Sequence, residues 1–311
     1  MIFVAGSANL DFVVRAPHIP ARGETVLGRD FKTFPGGKGA NQAVASARAG
    51  GVPTEMLLAV GGDPYANVIE SSLQAAGVRM HTLRAAHQPT GCAFICVSDD
   101  AENAITVAPG ANSSLQPQHL PSLSGVSHLL MQLEIPLETV HDYAQQARKQ
   151  GVRVVLNAAP AQALPAQLLA LVDVLIVNED ELTALTGSHA TIAQQLARLP
   201  TPCVVVTLGA RGSLMRMGAT LLTQPGHAVE ALDTTAAGDT FCGVLTASLS
   251  QGLGIQDALM RASAASALAC TRLGAQQSIP THEEVEVFLR NAKSPTAHGH
   301  AALLQYCGAC E

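Results

Sequence analysis

The sequence predicts an α/β protein with a doubly wound, mainly parallel sheet and a small β-sheet lid. The runs HLLMQLEI, VRVVLNAA, VDVLIVNE and PCVVVTLG are continuously apolar, which is typical of strands buried on both faces of a parallel sheet. Helix-like segments such as 137–150 and 192–199 separate these runs, as in βαβ units. Two β-prone stretches near 12–35 and 90–108 lack such helices, and paired together they would form the lid.

The elements follow one another in a regular order. The opening MIFVAGSANLD predicts a buried strand over 2–5, and GGKGANQAVASARAGG predicts a small-residue helix over 40–49 that ends at two glycines. MLLAVGG is a strand, and a helix over 66–76 follows it. GCAFICVSDD and NAITVAPGA indicate a hairpin. Further helices are expected over 238–251, 255–271 and 282–291.

Composition excludes several classes of function. The 311 residues carry 18 Lys and Arg against 24 Asp and Glu, a net charge of −6 without blocks of like charge. Nucleic acids and anionic membranes need a positive surface, so neither is an expected partner. The sequence contains no run of about 18 apolar residues, so we expect no membrane span. The chain start also lacks the basic region of a secretory signal. The seven scattered cysteines favour a reducing, cytoplasmic compartment.

The strongest candidate for a catalytic site is DTTAAGDTF, residues 233–241, which follows the strand-like HAVEAL and precedes a predicted helix. Small residues just before a helix leave backbone N–H groups exposed, and together with the helix dipole these favour an anion. Asp239 lies in the first turn, where a carboxylate can take a proton from an alcohol that attacks a phosphoryl group. The alternative is an ordinary helix cap formed by Thr235 or Asp239.

A second candidate is the glycine-rich, basic segment GGKGANQ, residues 36–42. It is not a Walker A loop, because Lys38 is followed by Gly39 rather than by Ser or Thr. The glycines allow the backbone to approach a small ligand closely, and Lys38 and Asn41 carry donors for hydroxyl groups. An ordinary turn is the alternative interpretation.

Polar side chains also follow several predicted strands, where α/β folds bind their ligands. Asn9 and Asp11 come after the first strand, and an amide with a carboxylate suits two adjacent hydroxyl groups. Asx-turn chemistry is the alternative for this pair. Glu134 ends the run HLLMQL, and Asn178 and Glu181 follow VLIV, so acids from separate strands can converge on a sugar or a metal.

Other segments carry weaker indications. TLGARG, residues 207–212, places a glycine turn after an apolar run. The segment 293–311 is predicted as a tail and contains His298, His300, Cys307 and Cys310. These residue types suit zinc, but structural zinc sites lie in folded loops, so we do not predict one there. A nicotinamide dehydrogenase is disfavoured because the N-terminal region lacks GxGxxG.

Together these segments resemble the ribokinase branch of the PfkB carbohydrate kinases. PGGKGANQAVASARAG resembles the family's first signature, and DTTAAGDTFCGVL resembles the second, which is highly specific. MQLEIPLETV, VVLNAAPA, NEDELTALTG, VVVTLGARG and CTRLGAQQSIP follow in the family's order, so the resemblance covers residues 1–290. There is one departure, because Ser263 stands where a larger polar side chain near adenine is common.

The resemblance implies roles for individual residues. Asp239 would be the base that deprotonates the attacking hydroxyl, and the anion hole would be formed by backbone amides of Ala236, Ala237, Gly238 and Asp239. The sugar would be held by Asn9, Asp11, Gly37, Lys38, Gly39, Ala40, Asn41, Glu134 and Asp239. ATP would be surrounded by Asn178, Thr207, Leu208, Gly209, Ala210, Arg211, Gly212, Gly238, Asp239 and Ser263. An activating potassium ion would be held, in part by backbone carbonyls, at Asp233, Thr235, Ala269, Arg272, Gly274 and Ser278. Glu181 would reach Mg²⁺ through water.

The reaction that the resemblance implies is phosphorylation of D-ribose by ATP at the 5-hydroxyl. It also implies a kinase domain over 1–292, with a lid from 12–35 and 90–108 that forms a homodimer contact. Alternative substrates are 2-deoxyribose, another sugar or a nucleoside, and a catalytically silent sugar-binding regulator is the alternative of another class. Asn9 and Asp11 favour adjacent hydroxyl groups and therefore ribose.

Overall fold

The computed structural model of the protein describes residues 1–100, 102–292 and 296–309. Over these residues the strands are β1 (Ile2–Ala5), β2 (Asn9–Ala16), β3 (Arg29–Gly36), β4 (Thr54–Val60), β5 (Arg79–Arg84), β6 (Gly91–Ser98), β7 (Asn103–Ala108), β8 (His128–Met131), β9 (Arg153–Asn157), β10 (Val174–Asn178), β11 (Cys203–Thr207), β12 (Gly212–Met217) and β13 (Thr220–Pro225). The helices are α1 (Lys38–Val44), α2 (Pro64–Ala75), α3 (Leu137–Lys149), α4 (Ala166–Leu169), α5 (Glu179–Thr186), α6 (Ile192–Leu196), α7 (Ala237–Ser250), α8 (Ile255–Cys270), α9 (His282–Asn291) and α10 (Ala297–Tyr306).

Nine strands form the larger sheet, in the order β13-β12-β11-β10-β9-β8-β1-β4-β5. The strands from β11 to β5 run parallel, whereas β12 and β13 add an antiparallel edge. The predicted doubly wound, mainly parallel fold is therefore confirmed. The continuous apolar runs arise because helices cover both faces of these strands.

Two apolar cores lie on the two faces of this sheet. Alternate residues of β1 point to opposite sides, so that Val4 joins one core, and Phe3 and Ala5 join the other. Helices α1, α2, α7 and α8 pack on the first face, and α3 and α4 pack on the second. Burial of each Val or Leu side chain stabilises the folded state by about 1.5–3 kcal/mol. The sheet is therefore a rigid support for the residues at its strand ends.

The smaller sheet has four strands in the order β3-β2-β6-β7. Strand β2 pairs antiparallel with β3 and parallel with β6, so the two β-prone stretches of the sequence meet in one sheet. The chain passes directly from β1 in the large sheet to β2 in the small one through residues 6–8. Asn9 therefore lies at the junction of the two sheets.

Two segments differ from their sequence-based expectation. HAVEAL is not a strand, because the edge strand β13 ends at Pro225 and residues 226–231 form no regular element. The backbone N–H groups of Leu232 and Asp233 instead donate to the carbonyl of Cys270 at the end of α8. Part of the predicted tail folds as α10, whose Leu303 is buried in the core of the second face. Within the described ranges, no helix combines the length and apolar character needed to cross a bilayer.

Candidate active site

The N-terminus of α7 is open to a ligand. The helix begins after Ala236, which has a left-handed backbone with φ 59°, and no described side chain caps it. A side-chain carbon added at Gly238 would meet nothing within 4 Å. First-turn N–H groups without a cap favour an anion, and the structure thus decides against the helix-cap alternative for Asp239.

Asp239 is held by two amide side chains of α1. Its Oδ2 accepts a hydrogen bond from Nδ2 of Asn41 at 2.9 Å, and its Oδ1 accepts one from Nε2 of Gln42 at 2.9 Å. The Gln42 amide is itself fixed, because its Oε1 accepts from Gln132 at 2.6 Å and its Nε2 lies 3.0 Å from Oδ1 of Asn157. The carboxylate is buried and has one defined orientation at the start of α7.

Glu134 and Asn9 are fixed beside α1 by contacts from distant segments. Oε2 of Glu134 accepts hydrogen bonds from Oγ of Ser7 at 2.6 Å and from the backbone N–H of Lys38 at 3.1 Å. Oδ1 of Asn9 accepts from Nδ2 of Asn112 at 2.7 Å. These contacts bring the predicted sugar-binding residues of β2, α1 and the end of β8 to one place.

The glycines of the GGKG segment are required by close approach. A Cβ atom at Gly36 would lie 2.1 Å from Oδ2 of Asp11, and one at Gly37 would lie 2.7 Å from the backbone nitrogen of Asn9. Gly37 also has φ 87°, a conformation that disfavours other residues. The segment is therefore more than an ordinary turn, because it packs directly on the polar residues of β2.

The charge of Lys38 interacts with the carboxyl groups of Asp11, Glu134, Glu181 and Asp239. Burial raises the pKa of Asp11 to about 7, and the nearby charges of Glu134 and Asp239 add to this effect while Lys38 opposes it. Burial alone would lower the pKa of Lys38, but the charges of Asp239, Glu134 and Glu181 outweigh it and raise that pKa. Carboxylates that accept but cannot donate are suited to a ligand rich in hydroxyl groups.

A cleft of about 220 Å³ adjoins Asp239. It is lined by Lys38, Asn157, Ala159, Ile176, Val177, Asn178, Glu181, Thr207, Thr234, Ala236, Gly238, Asp239 and Cys242. The ends of β10 and β11 thus face the start of α7, as expected for a ligand beyond the carboxyl ends of parallel strands. Asn178 and Glu181 form a reciprocal capping box at the start of α5, with both hydrogen bonds at 2.8 Å.

The predicted nucleotide loop follows β11 as a tight turn. Gly209–Arg211 forms a 3₁₀ turn, and Leu208 donates its backbone N–H to the carbonyl of Gly212 at 2.8 Å. Gly209 and Gly212 both have positive φ, which glycine alone adopts readily. The loop also includes Ala210 and lies next to Thr207 at the edge of the cleft. Ser263, in contrast, is buried in α8 and does not line the cleft.

The residues predicted for potassium converge in part. Oδ1 of Asp233 accepts from the backbone N–H of Thr235, and Oδ2 accepts from that of Gly274, both at 2.9 Å. Ala269 is buried near the end of α8, beside the carbonyl that accepts from Asp233. The other two side chains point elsewhere: the Arg272 guanidinium pairs with Glu284, and the Ser278 hydroxyl donates to the carbonyl of Ala275.

Several residues of the site were not singled out from the sequence. They are Ser7, Gln42, Asn112, Gln132, Asn157, Thr234 and Cys242. Gln42 and Asn157 lie inside segments that carry the family resemblance, so their position next to Asn41 and in VVLNAAP was an available signal. Asn112 lies in a 3₁₀ turn, and no sequence pattern marks it. Within the described ranges, no group of three His, Cys, Asp or Glu side chains is placed to hold a metal, and Cys310 lies outside those ranges.

Comparisons with known proteins agree with this geometry. The profile of the pfkB family of carbohydrate kinases matches residues 1–282. The chain belongs to this family. A ribokinase from Haemophilus influenzae is 39% identical over 302 residues, which cover 93% of this chain and 98% of that protein. The resemblance predicted from the motifs is therefore confirmed, and the pfkB-family chain is a sugar kinase.

Solved structures of other pfkB-type kinases share the fold. A ribokinase from Thermotoga maritima has a TM-score of 0.86 and 37% identity, over 93% of this chain and 99% of that chain. An Arabidopsis thaliana ribokinase complexed with ribose and ATP has a TM-score of 0.85 and 30% identity, over 93% of this chain and 98% of that chain. The roles of individual residues in the present kinase stay predictions.

Proposed function

We propose that this kinase transfers the γ-phosphoryl group of ATP to the 5-hydroxyl of D-ribose. The observation that carries the proposal is the position of Asp239. Its carboxylate is oriented by Asn41 and Gln42 at the uncapped N-terminus of α7, between the carboxylate cluster and the cleft. Relatives that are named ribokinase, including one complexed with ribose and ATP, support the choice of both substrates.

The sugar would lie between β2 and α1. Asn9 and Asp11 lie two residues apart on one face of β2 and offer an amide and a carboxylate to two adjacent hydroxyl groups. Glu134 accepts a third hydroxyl, and the backbone of Gly37 and Gly39 allows the ring to approach closely. A site that hydrogen-bonds a hydroxyl discriminates strongly against the analogue without it, which favours ribose over 2-deoxyribose.

The chemistry requires a base and compensation of charge. Asp239 takes the proton of the 5-hydroxyl as its oxygen attacks the γ-phosphorus, and the bond from that phosphorus to the β-phosphate oxygen breaks to release ADP. The N–H groups at Ala236, Gly238 and Asp239 would face the transferring group and stabilise its negative charge, whereas that of Ala237 donates to the carbonyl of Thr234 at 3.2 Å. Lys38 adds a positive charge near the same point. Positioning and electrostatics therefore supply most of the acceleration.

ATP would occupy the cleft and the turn at 207–212. Asn178 and Thr207 lie at the carboxyl ends of neighbouring strands and line the cleft. Leu208, Gly209, Ala210, Arg211 and Gly212 would surround the outer part of the nucleotide. Ser263 is the weakest member of the predicted set, because it is buried outside the cleft.

The residues present fit a magnesium ion held mainly by phosphates and water. Mg²⁺ prefers oxygen ligands, keeps several waters and needs few carboxylates. Glu181 lines the cleft, and its capping box uses only Oε2. When bound, Mg²⁺ would neutralise charge on the phosphates. Glu181 would hold its water shell through Oε1.

A monovalent cation also fits the loop that follows α8. The Asp233 carboxylate there is bound to backbone N–H groups of Thr235 and Gly274, and we propose that potassium lies near it. Backbone carbonyls near Ala269, Arg272 and Ser278 would complete the site. These residues would hold the start of α7 in place.

The test is ADP release by the purified enzyme with MgATP. Ribose, 2-deoxyribose, fructose and adenosine are compared, each with potassium or with sodium alone. Turnover that is highest with ribose and is stimulated by potassium is expected. Equal kcat/KM for ribose and 2-deoxyribose would contradict the assignment of Asn9 and Asp11, and no turnover with any substrate would favour a silent sugar-binding protein.

Asp239→Asn tests the proposed base in the same assay. It should lower kcat by orders of magnitude and leave folding intact, because the amide keeps the shape of the carboxylate but cannot take the proton. A kcat close to that of the wild type would exclude Asp239 as an essential base. Circular dichroism of the variant provides the control for folding.

We also propose a homodimer through the smaller sheet. Phe31 and Phe94 are exposed there by 65% and 54%, and both rings stack on Phe12, so that they form an exposed apolar patch of the kind that marks a protein interface. Phe94→Glu should convert the dimer to a monomer in light scattering, and a wild type that is monomeric at all concentrations would contradict the proposal. A cytoplasmic location also stays a prediction.

A further inference from the structure

The segment 296–309 contacts the nucleotide side of the site through one residue, Tyr306. Its hydroxyl donates a hydrogen bond to Oε1 of Glu179 at 2.6 Å. The guanidinium carbon of Arg211 lies 4.0 Å from the centre of the Tyr306 ring. Arg211 and Glu179 also form an ion pair at 3.0 Å. The three side chains therefore form a closed set of contacts, which we call the Tyr306 clamp.

The clamp joins the start of α5 to the turn that follows β11. Glu179 is the first residue of α5 and directly follows Asn178, which lines the cleft at the end of β10. Arg211 ends the 3₁₀ turn that follows Thr207, which lines the cleft at the end of β11. The capping box of Asn178 and Glu181 fixes the start of α5, whereas the exposed turn at 209–211 is less constrained. A contact that ties Arg211 to Glu179 reduces the number of positions that this turn can take.

Helix α10, which carries Tyr306, is firmly packed against the rest of the protein. Leu303 and Cys307 are buried, and the backbone carbonyl of Cys307 accepts from the N–H of Ala193 at 3.0 Å. His300 Nδ1 lies 2.8 Å from the hydroxyl oxygen of Thr223 on β13. Tyr306 therefore contacts Glu179 and Arg211 from a helix that is anchored elsewhere in the protein. The family profile ends at residue 282, so this helix lies outside the region that defines the family.

We propose that α10 is part of the nucleotide-binding apparatus, with Tyr306 as a positioning residue that fixes Arg211 and Glu179 for ATP. The inference rests on the proposed function, because it takes the turn at 207–212 as the ATP loop. Tyr306 does not line the cleft, and it acts through the other two side chains. The ring holds the guanidinium by a cation–π contact, and the hydroxyl uses one carboxylate oxygen of Glu179, which leaves the other to Arg211.

Two substitutions separate the parts of Tyr306. Tyr306→Phe keeps the ring and removes the hydrogen bond to Glu179, whereas Tyr306→Leu removes both contacts. We expect the Kd of a non-hydrolysable ATP analogue, measured by calorimetry, to rise about threefold in the first variant and about tenfold in the second. The KM for ribose and the kcat should stay within about twofold of the wild-type values. A role in folding alone would leave the nucleotide Kd of the folded enzyme unchanged.

The matched control is His300→Ala, which removes the contact of α10 with Thr223 and leaves the clamp intact. An equal rise in nucleotide Kd in this variant would overturn the inference, because helix docking and not Tyr306 would then matter. Unchanged Kd in both Tyr306 variants would also overturn it. In a Glu179→Ala background, which has no acceptor for the hydroxyl, Tyr306→Phe should have little further effect, and full additivity would contradict the shared contact.

The same titrations distinguish failure of the inference from failure of the proposed function. A wild-type protein that binds the analogue but phosphorylates none of the tested sugars contradicts the proposed function, whereas the comparison of Kd values still decides the role of Tyr306. A wild-type protein that turns over ribose with Kd values insensitive to Tyr306 contradicts the inference alone. A wild-type protein that binds no nucleotide overturns both.

Discussion

Asp11→Asn should change the pH dependence of stability in a way that the structure specifies. In the folded protein the pKa of Asp11 is raised from 3.8 to about 7, first by burial and then by the charges of Glu134 and Asp239. The folded state therefore binds the proton more tightly than the unfolded chain does. Stability is lost as the pH rises from 3.8 to about 7, because over this range the unfolded chain releases the proton while the folded protein still holds it.

The magnitude follows from the two pKa values. At about 1.36 kcal/mol per pH unit, this difference in proton binding lowers the free energy of unfolding by about 2 kcal/mol at pH 5 and about 4 kcal/mol at pH 8. Asparagine cannot be charged, so the variant avoids this cost at both pH values. Any difference in hydrogen bonding between aspartate and asparagine that does not depend on pH cancels when the two pH values are compared. The advantage of the variant should thus be about 2 kcal/mol larger at pH 8 than at pH 5.

Urea denaturation without sugar at these two pH values measures the effect. Asp30→Asn is the matched control, because Asp30 lies in the same smaller sheet with its side chain 62% exposed. An equally pH-dependent difference in this exposed control would exclude burial of Asp11 as the cause. A difference for Asp11→Asn that is also independent of pH would refute the reasoning. The KM for ribose should rise at least about tenfold in this variant, because asparagine has one acceptor oxygen for the hydroxyl groups where the carboxyl group has two.

Three other substitutions test the remaining parts of the site and core. Gln42→Leu removes a donor to the proposed catalytic carboxylate, so kcat should fall roughly 10- to 100-fold with little change in KM, and a kcat within twofold would contradict this role. Gly36→Ala would place a Cβ atom 2.1 Å from the Asp11 carboxylate and should raise the KM for ribose more than about tenfold, whereas Gly62→Ala, with nothing within 4 Å, should not. Burial lowers the pKa of His128 from 6.5 to about 4, so stability falls as the pH drops through this range. His128→Gln should remove about 2 kcal/mol of the loss between pH 7 and pH 5 in urea denaturation, and an unchanged loss would contradict this origin.

Local patterns predicted the fold and the position of Asp239. Strands such as 203–207 are buried on both faces, so almost every residue had to be apolar and the run was visible without any contact information. The small residues before Asp239 mark an open helix start because they leave no side chain to cap it. The strand-like HAVEAL shows the limit of such patterns. Its composition suits a strand, but residues 226–231 form no regular element.

The contacts within the site depended on tertiary structure. Asn41 and Gln42 reach Asp239 across 198 and 197 residues of sequence, and Asn112 reaches Asn9 across 103. An amide side chain can bond to many partners, so its sequence neighbours do not reveal which one it has. For Asn41 and Gln42, the packing of α1 against α7 determines that the partner is Asp239.

The sequence by itself determined the class of fold and the family, and it predicted a group of candidate site residues. These depend on the periodicity of apolar residues and on motifs that are short and continuous in the chain. Only the tertiary structure decided the raised pKa of Asp11, the fixed orientation of Asp239 and the contact of Tyr306 with the nucleotide side. The physical reason is that burial and charge interactions depend on distance in space, which residues far apart in sequence acquire only when the sheets and helices pack.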